Sequence, residues 1–129
     1  MKANARRQAL KRRDAERRGR AAEYAAMAWL MCKGYRILAH RARTPFGEID
    51  LAALKGGVLA IVEVKARRTL LAGTEAIGPQ QQTRLINAAL ALAGRWRLHG
   101  ARMRFDLIVV GARLLPVHLR GAWFDDTVR

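Results

Sequence analysis

The chain has a single cysteine, Cys32, which excludes an internal disulfide and any zinc site built on thiolates and suits a reducing compartment. Its three histidines, His40, His99 and His118, are scattered without the spacing of metal ligands. No run approaches the ~18 consecutive apolar residues of a membrane span, and the N-terminus lacks the apolar centre of a secretory signal, so a soluble cytoplasmic protein is expected. Acidic side chains are also scarce. Ten Asp and Glu face 25 Lys and Arg, a net charge of +15 with an isoelectric point near 11.6. A polyanion is the first partner to consider, although the charge alone would also suit an anionic membrane surface or ribosomal RNA.

The few acids that exist are placed with economy. Glu48 and Asp50 lie in Gly47-Glu48-Ile49-Asp50-Leu51, and Glu63 and Lys65 in Val62-Glu63-Val64-Lys65. Between them Lys55-Gly56-Gly57 is a turn signal, because two glycines suit the positive φ of a two-residue hairpin loop. With Gly56-Gly57 as the loop, Lys55 faces Val58, Asp50 falls opposite Glu63 and Glu48 opposite Lys65. Side chains alternate along a strand, so all four are expected on one face among apolar neighbours. Two carboxylates side by side in an apolar strand pair repel each other. A hard divalent cation relieves that conflict, taking one or two carboxylates together with water and phosphate oxygens. The spacing reads as a metal site beside an ammonium that would serve a bound water or a charged phosphoryl oxygen. The alternative is a surface hairpin with ordinary cross-strand ion pairs, which contribute little.

The rest of the chain supplies one domain. Residues 1–18 are expected to be a basic flexible arm or a frayed helix, since residues 1–20 carry nine cations against Asp14 and Glu16 and only Leu10 as a large apolar side chain. A helix follows over Arg20–Lys33, with Ala22, Ala26, Trp29, Leu30 and Lys33 at spacings of three and four, and Gly34 as its cap. Cys32 is expected on its apolar side. Strands are read at Tyr35–His40, on both arms of the hairpin, at Met103–Val110 and at Leu114–Leu119, where Pro116 marks an edge. Residues 69–79 read as a loose segment after Ala66-Arg67-Arg68, and a second helix starts near Gln80 with Leu85, Ala89, Leu92 and Trp96 on one face. Asp106 reads as structural pairing within the sheet, and Trp29, Trp96 and Trp123 as core or interface. The order αβββαββ gives an α/β fold with one mixed sheet flanked by helices.

Gly19-Arg20-Ala21-Ala22-Glu23, Arg43-Thr44-Pro45-Phe46-Gly47-Glu48-Ile49-Asp50-Leu51, Val62-Glu63-Val64-Lys65-Ala66-Arg67 and Arg104-Phe105-Asp106 together resemble the successive motifs of the YraN family of bacterial proteins. The resemblance runs from about Arg17 to Phe124. That family is similar to Holliday junction resolvases and to the PD-(D/E)XK nucleases, so the resemblance implies a restriction-endonuclease-like domain over residues 19–129. It implies that Asp50 and Glu63 bind Mg²⁺ or Mn²⁺, that Lys65 serves the attacking water, and that Glu23 reaches the metal directly or through water. Gln82 matches a glutamine that would orient Lys65 or the phosphate, while Glu48 belongs to the motif without an assigned role. Gln81 stands where the family usually has lysine, and Arg41 where it usually has asparagine. Neither departure is expected to touch the metal cluster.

The leading expectation is a Mg²⁺-dependent endonuclease acting on DNA, including branched or structured DNA, with a homodimer as a fitting assembly. Arg20, Arg41, Arg43, Arg67, Arg68 and Arg84 are the candidate nucleic-acid contacts. A non-catalytic nucleic-acid-binding protein that keeps a nuclease-like fold is the alternative, and a ribosome- or RNA-associated factor ranks third.

Overall fold

A computed structural model describes residues 2–98 and 100–123. His99, Phe124 and the rest of the expected domain's C-terminal end lie outside them. The chain runs α1 (Lys2–Cys32), β1 (Arg36–Thr44), β2 (Gly47–Lys55), β3 (Val58–Ala66), α2 (Leu70–Glu75), α3 (Pro79–Arg95), β4 (Arg102–Val110), a 3-10 turn and β5 (Pro116–Trp123). The five strands form one sheet in sequence order. β3 and β4 are parallel, and the other neighbours are antiparallel. This is the mixed α/β sheet that was expected, and it is consistent with a restriction-endonuclease-like fold. Two details differ. Residues 70–75 form a short helix, opened by the Thr69 side chain accepting from the Ala72 N–H, and β5 extends to Trp123 as an edge strand.

Each face of the sheet has its own core. On one, Leu85, Ala89 and Leu92 of α3 pack on Ile49, Leu59, Ile61, Phe105, Leu107 and Val109. On the other, Ala22, Ala26 and Leu30 of α1 pack on Leu51, Ala53, Ala60, Val62, Val64, Ile108 and Val110. Alanine on α1 lets the helix lie close to the sheet. Gly34, with φ of +91°, ends it while the Tyr35 N–H reaches back to the Leu30 carbonyl.

Of the two forms expected for the basic segment, the structure has the helix. Helix α1 is continuous from Lys2, and residues 2–18 are exposed on every side. Ala, Arg, Lys, Gln and Glu are the best helix formers, so propensity and continuation of a packed helix suffice without an apolar stripe. Gly19 interrupts this good helix-forming run at a cost of about 1 kcal/mol relative to alanine. Cys32 is exposed at the helix end rather than on its apolar side. Trp29 is 38% exposed, with Lys33 over its ring. Trp123 is buried and stacks on Phe105.

Candidate active site

The β2–β3 hairpin closes as its sequence dictates. Gly56 and Gly57 both take positive φ, at 57° and 77°. Lys55 pairs with Val58, and the register continues to Leu51 opposite Val62. There the regular ladder stops, although both strands run further. Ile49 packs into the α3-side core and Leu51 into the α1-side core, so the two-residue alternation breaks between them, at Asp50. The Asp50 carboxylate occupies the gap and accepts from the Val64 N–H through Oδ2 at 2.9 Å.

Glu63, one position before Val64, is 5 % exposed. Its Oε1 lies 3.4 Å from Lys65 Nζ. Its Oε2 is buried without a hydrogen-bond partner. Burial pushes the Glu63 carboxyl up to about 7, and the Asp50 charge adds to the rise while the Lys65 ammonium opposes it. Asp50 is raised as well, chiefly by burial and further by the Glu23 charge, against the Val64 N–H and Lys65. Two carboxyls are thus held together where neither ionises freely, beside one ammonium. The Glu48–Lys65 ion pair of the surface-hairpin alternative does not form: Lys65 turns to Glu63 while Glu48 is exposed.

Glu23 reaches this charge field from α1, but its Oε1 is taken by His40 Nε2 at 2.6 Å and Arg41 Nε at 2.8 Å. Arg41 therefore does touch the cluster, contrary to expectation. It adopts a positive φ of 57° within β1, which re-aims its side chain toward α1. The Glu23 carboxylate holds the Arg41 guanidinium above its ordinary range through their hydrogen bond and opposite charges. No spacing in the sequence marks His40 or Arg41 as Glu23 partners; the bend in β1 brings them together.

The remaining candidates are dispersed. Gln82 sits in the first turn of α3, its N–H bonded to the Gly78 carbonyl, and among the described residues no side-chain hydrogen bond ties it to Lys65. Arg84 bonds Gln81 Oε1 at 3.1 Å and the Glu48 carbonyl at 3.1 Å, so it fastens α3 to the start of β2. Arg20, Arg43, Arg67 and Arg68 are exposed. Asp106 is structural, as expected. It accepts Arg104 Nε and Nη2 at 2.8 Å each, His118 Nε2 at 2.8 Å and the Gly121 N–H at 3.0 Å. Lys33 Nζ, which has no acceptor, lies 3.0 Å from His118 Nδ1, so the His118 ring proton sits on Nε2 and is donated to Asp106. Burial alone would raise Asp106, but Arg104, His118 and Gly121 outweigh it and bring the carboxyl down to about 2.

The donor set suits a hard divalent cation. Asp50 and Glu63 supply two adjacent carboxylates, and the orphaned Glu63 Oε2 lacks the partner a cation would provide. Among the described residues no three His, Cys, Asp or Glu side chains are arranged to cage a metal by themselves. Magnesium sites of the open kind do not need one, since water and substrate oxygens complete them. Among the described residues no helix is long and apolar enough to cross a membrane.

Comparison with known proteins matches residues 22–110 to the family described as "Uncharacterised protein family UPF0102". The chain is 51% identical over 113 residues to a UPF0102 protein of Maricaulis maris, covering 87% of this chain and 89% of that one. It is 50% identical over 106 residues to one from a Caulobacter species, covering 81% and 76%. A third, from Mesorhizobium japonicum, is 47% identical over 114 residues, with 88% and 91% covered.

Proposed function

The chain belongs to the UPF0102 family, and we propose that it is a divalent-metal-dependent endonuclease that hydrolyses phosphodiester bonds in DNA, with branched or structured DNA as its substrate class. The observation that carries this reading is the juxtaposition of two mutually unfavourable carboxyls, the buried Glu63 and the half-buried Asp50, with the Lys65 ammonium 3.4 Å from Glu63. A purely structural cross-strand pair would have no need of a second acid beside it or of an unpartnered buried Oε2. The charge of +15 supplies attraction to the polyanion.

Bound by Asp50 and Glu63, Mg²⁺ or Mn²⁺ would polarise a phosphoryl oxygen. The protein's own groups do the rest. The Val64 N–H fixes the Asp50 carboxylate, Glu63 holds Lys65 at the site, and Lys65 donates to the attacking water or to the phosphoryl oxygen that gains charge. Glu23, anchored by His40 and Arg41, adds negative potential that favours the dication. One water is consumed. Its oxygen bonds to phosphorus in line with the departing 3′ oxygen, and its proton ends on that oxygen.

The test uses supercoiled, linear, single-stranded and four-way-junction DNA with Mg²⁺ or Mn²⁺. Cleavage by the parent that Asp50→Ala and Lys65→Ala abolish, with binding retained, supports the reading. Binding without cleavage by any form refutes it and leaves a nucleic-acid-binding module.

A further inference from the structure

We propose that the groove between α1 and the C-terminal ends of β3 and β4 seats a single unpaired nucleic-acid strand beside the candidate active site. The position of this groove next to Lys65 deepens the hydrolase reading and rests on it, whereas strand binding can be measured by itself. The groove has a volume of about 590 Å³. Arg18, Lys65, Arg67 and Arg68 line it, and none of its fourteen lining residues is acidic. The occupant is therefore anionic. Its floor is small and apolar, with Ala22 and Val64 continuing into Ala112 and Leu114. A free strand offers both complements, phosphates to the cations and sugar and base faces to the apolar floor. A duplex offers only its phosphate ridges, and its bulk does not enter a cleft the size of a small-molecule pocket. Lys65 lines the groove and also pairs with Glu63, which places the groove next to the candidate site.

Gly19 gives independent support. Gly19, Ala22, Ala26 and Leu30 follow at intervals of three, four and four residues, which places all of them on the face that α1 turns to the sheet. Ala22, Ala26 and Leu30 are buried there. A Cβ added at Gly19 would meet nothing within 4 Å. Close packing thus does not require glycine, and the unfavourable residue inside the helix has another consequence: the underside of α1 stays undercut where the groove runs.

The test measures binding of the full chain, without metal, to a short labelled single strand and to a blunt duplex. Gly19→Ala and Gly19→Leu form a size series at a site where both are better helix formers than glycine. Arg68→Gln removes one cation from an exposed position, and helical circular dichroism checks that all variants are folded. The expected result is single-strand affinity that falls about tenfold in Gly19→Leu, less in Gly19→Ala, and falls in Arg68→Gln with a shallower salt dependence. Gly19→Leu and Arg68→Gln binding the strand as the parent does would overturn the proposal. So would displacement of the strand by an equal concentration of mononucleotide, because a free nucleotide would then be the occupant. Cleavage is scored separately with Mg²⁺: a parent that cuts nothing but shows this binding pattern refutes the hydrolase reading and keeps the groove.

Discussion

At the scale of single residues, the fold favours the neutral form of Glu63. Its carboxyl titrates near 7 in the folded protein against about 4.3 in an unfolded chain. The stabilisation is therefore fully present below the unfolded value and is lost as pH rises through about 7. Asp50, also raised, acts in the same sense. Without metal, unfolding free energy should fall between pH 5 and 8 by on the order of 3 kcal/mol, and urea titrations of Glu63→Gln should show a flatter profile. Magnesium or manganese should raise the melting temperature of the parent at pH 8 and leave that of Asp50→Ala unchanged. Asp106 works with the opposite sign. Its carboxyl lies near 2, so its contribution is present above the ordinary carboxylate range and is lost only as pH falls through that value. Asp106→Ala, which strands Arg104 and His118, should cost about 3–5 kcal/mol in chemical denaturation. That the residue pairs rather than ligates could be read from its apolar flanks in β4. Its partners could not all be read, because His118 and Gly121 belong to β5 and Tyr35, which braces Arg104, follows α1, and only sheet assembly brings them together.

At the scale of elements, the hairpin was the most legible part of the chain. Two adjacent glycines fix a turn, the turn fixes the register, and the register fixes which residues are opposed. What it does not fix is the break in alternation at Asp50, nor the preference of Lys65 for Glu63 over Glu48, since both follow from how two cores pull on neighbouring residues. Helix α1 was underread for a different reason. Its outer half has helix-forming residues but no apolar face, and periodicity is silent there while propensity is not. The first residue of β2 makes a sharp prediction. Gly47 has φ of +117° and sits against the Arg84 guanidinium that bonds the Glu48 carbonyl. Gly47→Ala should destabilise by roughly 1–3 kcal/mol. Hydrogen exchange should locate the loosening at the start of β2 and in the first turns of α3.

For the whole molecule, charge and chemistry are divided. The acids of the site sit in and under the sheet, whereas nine cations line the first twenty residues along α1. DNA affinity should fall steeply with salt, with log K linear in log salt concentration. Replacing Arg6, Arg7, Arg12 and Arg13 by glutamine should make that slope shallower while thermal melting stays within a degree or two, because these side chains are exposed and pack on nothing.

The closeness in sequence of Asp50, Glu63 and Lys65 also bears on how the molecule comes together. A hairpin zips within microseconds, whereas the parallel β3–β4 pairing waits for a crossover that carries α2 and α3 to close a long loop. The three side chains are then neighbours early, while water still reaches them, and the repulsion between the two acids is imposed only when the helices dock. Substitutions that relieve it, such as Glu63→Gln, should chiefly slow unfolding and leave the folding rate little changed, a partition that stopped-flow kinetics would read.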